Sequence, residues 1–230
     1  MTEVLIQILF LIISYLLGSI PWALIIGKLV KGIDIREHGS KNMGATNTFR
    51  VLGFKWGLLV FALDAVKGGI TLWVMKHDIL NLGIANYDLI IHPLAYGAFA
   101  FLGHLYPIFT KFKGGKGMST ASGIVLFYNP YIFLVGLITF IIVVSTSRFV
   151  SLASCITVLS TLIAELISPY KDVYLIIILI IINIFLFVKH IPNFKRIFNH
   201  TESKVNFKSF KDPTKPAFIT EDEEKNENNK

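Results

Sequence analysis

The stretch MSTASGIVLFYNPYIFLVGLITFIIVVS, Met118–Ser145, decides the fold. It carries no charged residue, and Asn129-Pro130 interrupts it. Proline lacks an N–H and pushes the residue before it out of the helical region, so the run is expected to break into Met118–Tyr128 and Tyr131–Ser145. The first piece is too short to cross a bilayer alone, since a spanning helix needs about 20 apolar residues. Whether the two pieces count as two passes or as one kinked pass sets the sidedness of everything after them.

Outward from this stretch, apolar runs cover Val4–Val30, Gly53–Met75 and Leu89–Thr110 before it, and Val150–Ile167 and Val173–Val188 after it. The expected fold is an all-α polytopic membrane helix bundle of seven transmembrane helices, with five plus re-entrant pairs as the alternative. Composition agrees: 53% of the 230 residues are hydrophobic and only 16% charged, and the mean hydropathy of +0.63 lies outside the soluble globular range. The first run has no basic residue before its apolar core and is longer than a signal peptide's, so it is expected to be a retained span.

Loop charges choose between the two readings of Met118–Ser145. The first loop holds Lys31, Arg36, Lys41 and Arg50, and the third holds Lys111, Lys113 and Lys116. The second loop has only Lys76, the fourth has no basic residue, and the fifth and sixth tie with Arg148 and Lys171. After Val188 come nine Lys and Arg. The positive-inside bias then puts the N-terminus outside and loops one, three, five and the C-terminus in the cytoplasm. A single kinked pass over Met118–Ser145 would export the basic tail. The same bias accounts for the net charge of +7, so no nucleic-acid partner is expected. Domain organisation reads as an integral membrane domain, 1–204, and a basic then acidic and polar tail, 205–230, expected to be disordered.

Three polar constellations lie on the predicted cytoplasmic side. Gly39–Arg50 is dense in small hydrogen-bonding residues, and if helical it places Asn42, Thr46 and Arg50 on one face. Ser40 or Asn42 would suffice as a helix cap; five small polar groups and an arginine exceed that need and suit a phosphate. The run Lys111-Phe112-Lys113-Gly114-Gly115-Lys116-Gly117 opens directly into an apolar helix. Backbone amides at a positive dipole end, with lysines beside them, favour an anion over a plain turn. Arg148-Phe149-Val150-Ser151 opens the sixth segment, and His190-Ile191-Pro192-Asn193 closes the seventh.

Within the apolar segments, Asp64 and Lys67 are spaced to pair with each other, which favours a structural ion pair. His104 is placed to orient the lysine loop or to pack. Cys155 is a lone thiol in an apolar run. There is no Cys/His cluster with metal-ligand spacing, so neither metal nor cofactor is implied. No histidine is followed five positions later by aspartate, so the pair used by many thioester-dependent acyltransferases is missing.

Taken together, Gly39-Ser40-x-Asn42-x-Gly44-Ala45-Thr46-Asn47-x-x-Arg50, Gly103-His104-x-x-Pro107 with Lys111–Gly117 and Thr120, and Arg148-x-x-Ser151 with His190-x-x-Asn193, Arg196 and Thr201-Glu202 resemble the bacterial acyl-phosphate:glycerol-3-phosphate acyltransferase family. Asp64-x-x-Lys67-Gly68 also fits. The resemblance runs from Gly18 to about Lys204. Lys41 stands where glycine is common in the family, and the tail is an addition.

The resemblance implies transfer of a fatty acyl group from acyl phosphate to the 1-hydroxyl of glycerol 3-phosphate in the bacterial cell membrane, giving lysophosphatidate and inorganic phosphate. It implies catalytic roles for Ser40, Arg50, His190 and Asn193. Acyl phosphate is expected on Ser40, Asn42, Thr46, Asn47 and Ser151. Glycerol 3-phosphate is expected on Lys111, Lys113, Gly114, Gly115, Lys116 and Gly117, with Arg50 and His190. Asp64, Lys67, His104 and Glu202 are expected to be structural. The implied partners are the two substrates, the lipid bilayer and, as a candidate, the peripheral enzyme that makes acyl phosphate. A phosphate or phospholipid transporter and a non-catalytic scaffold are the rival readings; a transporter would hold its binding groups on broken helices near the midplane.

Overall fold

The structure, a computed structural model, describes residues 2–80, 91–210, 216–220 and 223. The helices are α1 Thr2–Gly18, α2 Trp22–Lys31, α3 Ala45–Leu52, α4 Phe54–Lys76, α5 Pro93–Leu105, α6 Met118–Tyr128, α7 Pro130–Ser147, α8 Val150–Ile167 and α9 Val173–Phe198. Two short antiparallel strands follow, β1 Lys204–Val205 and β2 Phe218–Ile219, with Val205 opposite Phe218.

Among the described residues, five stretches are long and apolar enough to cross a membrane: Val4–Lys31, Phe54–Lys76, Pro130–Ser147, Val150–Ile167 and Val173–Phe198. Helices α5 and α6, of 13 and 11 residues, are shorter. The deciding break falls where proline requires it: α6 ends at Tyr128, Pro130 is in the first turn of α7, and the Asn129 side chain accepts from Ile132 N at 3.3 Å. Large apolar side chains stay exposed along α7 (Tyr131, Leu134, Ile138, Ile141) and α9 (Ile177, Ile180, Ile184, Val188), as a lipid-facing surface requires.

Three expectations are corrected. The run Val4–Val30 is two helices, because Pro21 ends the ladder and the chain turns at Ser19–Pro21. The last apolar run does not stop at Val188. It continues as helix through Pro192 to Phe198, and the chain after it is pinned back by Thr201 N to Arg196 O at 2.8 Å. The tail is not wholly without structure, since β1 and β2 pair and bury Val205 and Ile219. Most of 221–230, and the start of the run Leu89–Thr110, lie outside the described residues.

Small residues let the helices touch. A Cβ on Gly18 would strike the Ala100 backbone, one on Gly103 the Tyr15 carbonyl, and one on Gly123 the Ala65 carbonyl, so α1–α5 and α4–α6 pack backbone to backbone. The Asp64–Lys67 pair, 2.8 Å apart and almost fully buried, is attached to the α1–α2 break, where Lys67 Nζ donates to Ile20 O at 2.8 Å. At the C-terminal end of α4, Lys76 Nζ donates to Tyr128 O at 2.9 Å and the Tyr128 hydroxyl donates to Asp172. Helix α6 therefore ends at that side with Tyr128, and its start at Met118 lies toward the first loop. At about 1.5 Å per residue its 11 residues cover roughly 16 Å, half of a ~30 Å hydrocarbon core, so the far end of α6 opens into a recess.

Candidate functional site

The recess is built first by the chain between α2 and α3. Asn47 closes that loop: its Nδ2 donates to Ile35 O at 3.0 Å and His38 O at 3.1 Å, and its Oδ1 accepts from Ser40 N at 2.8 Å. A fully buried amide with those partners is a clasp. Lys41 has φ of 60°, a left-handed conformation that glycine adopts without steric cost.

The lysine–glycine run makes the second wall. His104 O accepts from Gly115 N at 3.2 Å, and Thr110 Oγ1 donates to Lys113 O at 2.9 Å. Lys111 and Phe112 both have positive φ, and Lys111, Phe112 and Lys113 point outward and are exposed. The chain then turns, and Lys116 enters the recess to donate to Asn193 Oδ1. A methyl on Gly115 would meet the His104 imidazole and lie 3.0 Å from Met43 O, so this loop is pressed against the α5 end.

Helix α9 supplies the third wall with His190 and Asn193, three apart on one face. Glu202 gathers the neighbouring donors. Its Oε1 accepts from Asn193 Nδ2 at 2.7 Å and Ser151 Oγ at 3.0 Å, and its Oε2 accepts from Arg196 Nε at 2.7 Å. His190 Nδ1 lies 2.8 Å from Leu186 O. A carbonyl only accepts, so Nδ1 carries the proton, and in the neutral ring Nε2 keeps its lone pair.

These walls enclose one cleft. Ser40, Asn42, Thr46, Asn47 and Arg50 line it from the first loop and α3, Lys116 and Gly117 from the second, and Ser151, His190, Asn193 and Glu202 from the third. Three helices begin at it: α3 through Ala45 and Thr46, α6 through Met118 and Ser119, and α8 through Val150 and Ser151. None of the three has a side-chain capping bond, so neither Ser40 nor Asn42 is a cap. In α3 the Asn47 backbone amide is spent on Gly44 O at 3.1 Å, and the amides of the first residues of each helix suit an anion. Two cations, Arg50 and Lys116, face one carboxylate, Glu202, among the lining residues. Burial pushes the Lys116 ammonium down to about 8, with Glu202 opposing. Burial also lowers Arg50, again against Glu202, and Arg50 Nε is buried with no hydrogen-bond partner. Such a cleft is suited to anions with several oxygens each.

Some residues expected at the site lie elsewhere. Lys111 and Lys113 are outside the cleft, and Gly114 and Gly115 shape its wall from behind. Asp64, Lys67 and Gly115 border a smaller cavity beneath it, and His104 sits between the two. Sequence reading missed Ser203 and Phe218, both in the cleft lining. The apolar island Ala217-Phe218-Ile219 in a polar tail was the available signal.

A sequence model of the glycerol-3-phosphate acyltransferase family matches residues 8–200. The glycerol-3-phosphate acyltransferase of Bacillus subtilis (strain 168) is 47% identical over 199 residues, covering 86% of this chain and 97% of the relative. That of Geobacillus kaustophilus (strain HTA426) is 42% identical, covering 86% and 96%. Among solved structures, PlsY, an integral membrane glycerol 3-phosphate acyltransferase, superposes with a TM-score of 0.77 in its glycerol 3-phosphate form. The lysophosphatidic acid form superposes with a TM-score of 0.75. Both are 35% identical and cover 86% of this chain and 95% of theirs.

Proposed function

This chain belongs to the glycerol-3-phosphate acyltransferase family, and on that premise we propose that it transfers a fatty acyl group from acyl phosphate to the 1-hydroxyl of glycerol 3-phosphate. The observation that carries the reading is the cleft itself, where three helix starts without side-chain caps, Arg50 and Lys116 face one carboxylate, Glu202, among the described lining residues. Two phosphate-bearing substrates held close together need that many donors.

The 1-hydroxyl oxygen attacks the acyl carbonyl carbon, the bond from that carbon to the phosphate oxygen breaks, and inorganic phosphate leaves. Acyl phosphate is an activated anhydride, so no acyl-enzyme is required. Lys116 and the amides of Gly117 and Met118 hold glycerol 3-phosphate. Ser40, Asn42, Thr46 and Ser151, with the α3 and α8 amides, hold acyl phosphate. Arg50 spans the two phosphates. His190 Nε2 accepts the hydroxyl proton, which ends on the departing phosphate. The acyl chain lies between helices, open to lipid; the recessed position of the cleft supports this. We place the cleft on the cytoplasmic side of a bacterial cell membrane and the N-terminus outside, because loops rich in Lys and Arg border it.

The test is purified protein in vesicles with labelled glycerol 3-phosphate and either acyl phosphate or acyl-CoA. Equal amounts of lysophosphatidate and phosphate from acyl phosphate alone are expected. Product from acyl-CoA alone would retire the donor assignment.

Two further results follow from the second wall. Burial lowers Lys116 to about 8, so its charge is present below that pH and lost above it. The value of kcat/KM for glycerol 3-phosphate is expected to fall on the alkaline side with an apparent pKa of about 8, and Lys116→Arg should move that limb upward. A flat profile from pH 7 to beyond pH 9 would remove Lys116 from substrate binding. Gly115→Ala, whose methyl meets His104, should raise KM for glycerol 3-phosphate more than it lowers kcat. An unchanged KM would show that the wall tolerates displacement.

A further inference from the structure

We infer that Phe218, in the C-terminal extension, is a positioning residue for the cleft: it stacks on the Arg50 guanidinium and walls the substrate site. The inference rests on the acyl-transfer reading above for its kinetic consequence, and on geometry for the contact.

The extension is not part of the shared family chain. The family match stops at residue 200. The 199 aligned residues already span 97% of the Bacillus subtilis relative, so almost none of that protein remains to correspond to β2. Yet Phe218 lines the cleft, with its ring centroid 4.8 Å from Arg50 Cζ. That distance is within cation–π range.

Its position is fixed by bonds that reach back to the cleft walls. Val205 N donates to Arg148 O at 2.9 Å, and Arg148 Nε donates to Val205 O at 2.9 Å. This anchors β1 to the α7–α8 turn, just before Val150 and Ser151 enter the cleft. Asn206, 2% exposed, then carries the returning segment: its N donates to Ala217 O at 2.9 Å and its Nδ2 to Pro216 O at 3.1 Å. Ile219, opposite Lys204, is buried. The ring is thus seated by a small hydrogen-bonded strap.

Arg50 needs such a neighbour. No carboxylate is within ion-pair distance of it among the described residues, and its Nε has no hydrogen-bond partner. An aromatic face holds a guanidinium in plane without competing for its N–H groups, leaving the fork for phosphate.

The test compares Phe218→Ala, Phe218→Leu, Phe218→Tyr and Phe218→Trp in the full chain. The Ala and Leu variants are expected to raise KM for glycerol 3-phosphate about fivefold to tenfold with kcat within about twofold, and the Tyr and Trp variants to stay near wild type. The Leu variant separates the aromatic face from simple apolar cover. A KM within twofold in the Ala and Leu variants would overturn the inference. So would a gain in activity on Phe218→Ala, which would make the strap an inhibitor. A second readout needs no turnover: the indole introduced by Phe218→Trp should be shielded from acrylamide, and Arg50→Ala in the same chain should unshield it. Quenching indifferent to Arg50 would overturn the contact. Arg50-dependent shielding in a protein that makes no product would support the wall and retire the acyl-transfer reading alone.

Discussion

Arg50→Ala is expected to lower kcat/KM about a thousandfold, roughly 4 kcal/mol of transition-state stabilisation. Arg50 lies in the last turn of α3, where it faces Lys116 and the starts of α6 and α8 across the cleft. A guanidinium offers parallel donors to phosphate oxygens, and in a partly buried site those charge-assisted bonds are worth more than at a surface. Arg50→Lys should recover only a small part, because an ammonium is a point charge without the fork. Steady-state kinetics with both substrates varied would measure this. Near-normal turnover in Arg50→Ala would remove the residue from the site.

Asp64→Ala should be the most damaging change to stability, costing about 3–5 kcal/mol, because it leaves the Lys67 ammonium buried and unpaired. The pair sits beneath the cleft, with His104 Nδ1 3.8 Å from Asp64 Oδ1 and Lys67 tied to the α1–α2 break. The loss therefore loosens both the first helix break and the lysine–glycine wall. The double variant Asp64→Leu with Lys67→Met should be less damaging than Asp64→Ala alone, since it removes both charges together. Thermal unfolding in detergent reads both. An unchanged melting temperature in Asp64→Ala would mean that the pair holds nothing together. With the two charges paired at 2.8 Å and Lys67 also bonded to Ile20 O, the deep charges give no support to the transporter reading.

What the sequence revealed followed from how local each signal was. The break at Asn129-Pro130 and the bounds of α8 were legible because proline and hydropathy act within a few residues. Pro21 carried the same signal, but the apolar residues around it masked the turn, since hydropathy measures preference for lipid and not continuity of the hydrogen-bond ladder. Helix α9 outran its apolar stretch because its last turns face the site and are held by Glu202 through Asn193 and Arg196.

At the site, residue chemistry pointed to the right loops but could not rank residues within one. Lys111, Lys113 and Lys116 look alike in sequence; the left-handed turn at Lys111 and Phe112 sends two outward and one inward. Asn47 reads as a ligand-binding amide, yet its donors and acceptor are spent closing its own loop. The Phe218–Arg50 contact joins segments far apart in the chain, which no local pattern encodes.

The most direct measurement is a structure of the protein with glycerol 3-phosphate and a non-hydrolysable acyl phosphonate bound together. Both phosphorus atoms are expected inside the cleft between the starts of α3, α6 and α8, one within hydrogen-bond reach of Lys116 and both within reach of Arg50. A phosphate seated on Lys111 and Lys113 outside the cleft, with Arg50 and Lys116 untouched, would contradict that arrangement.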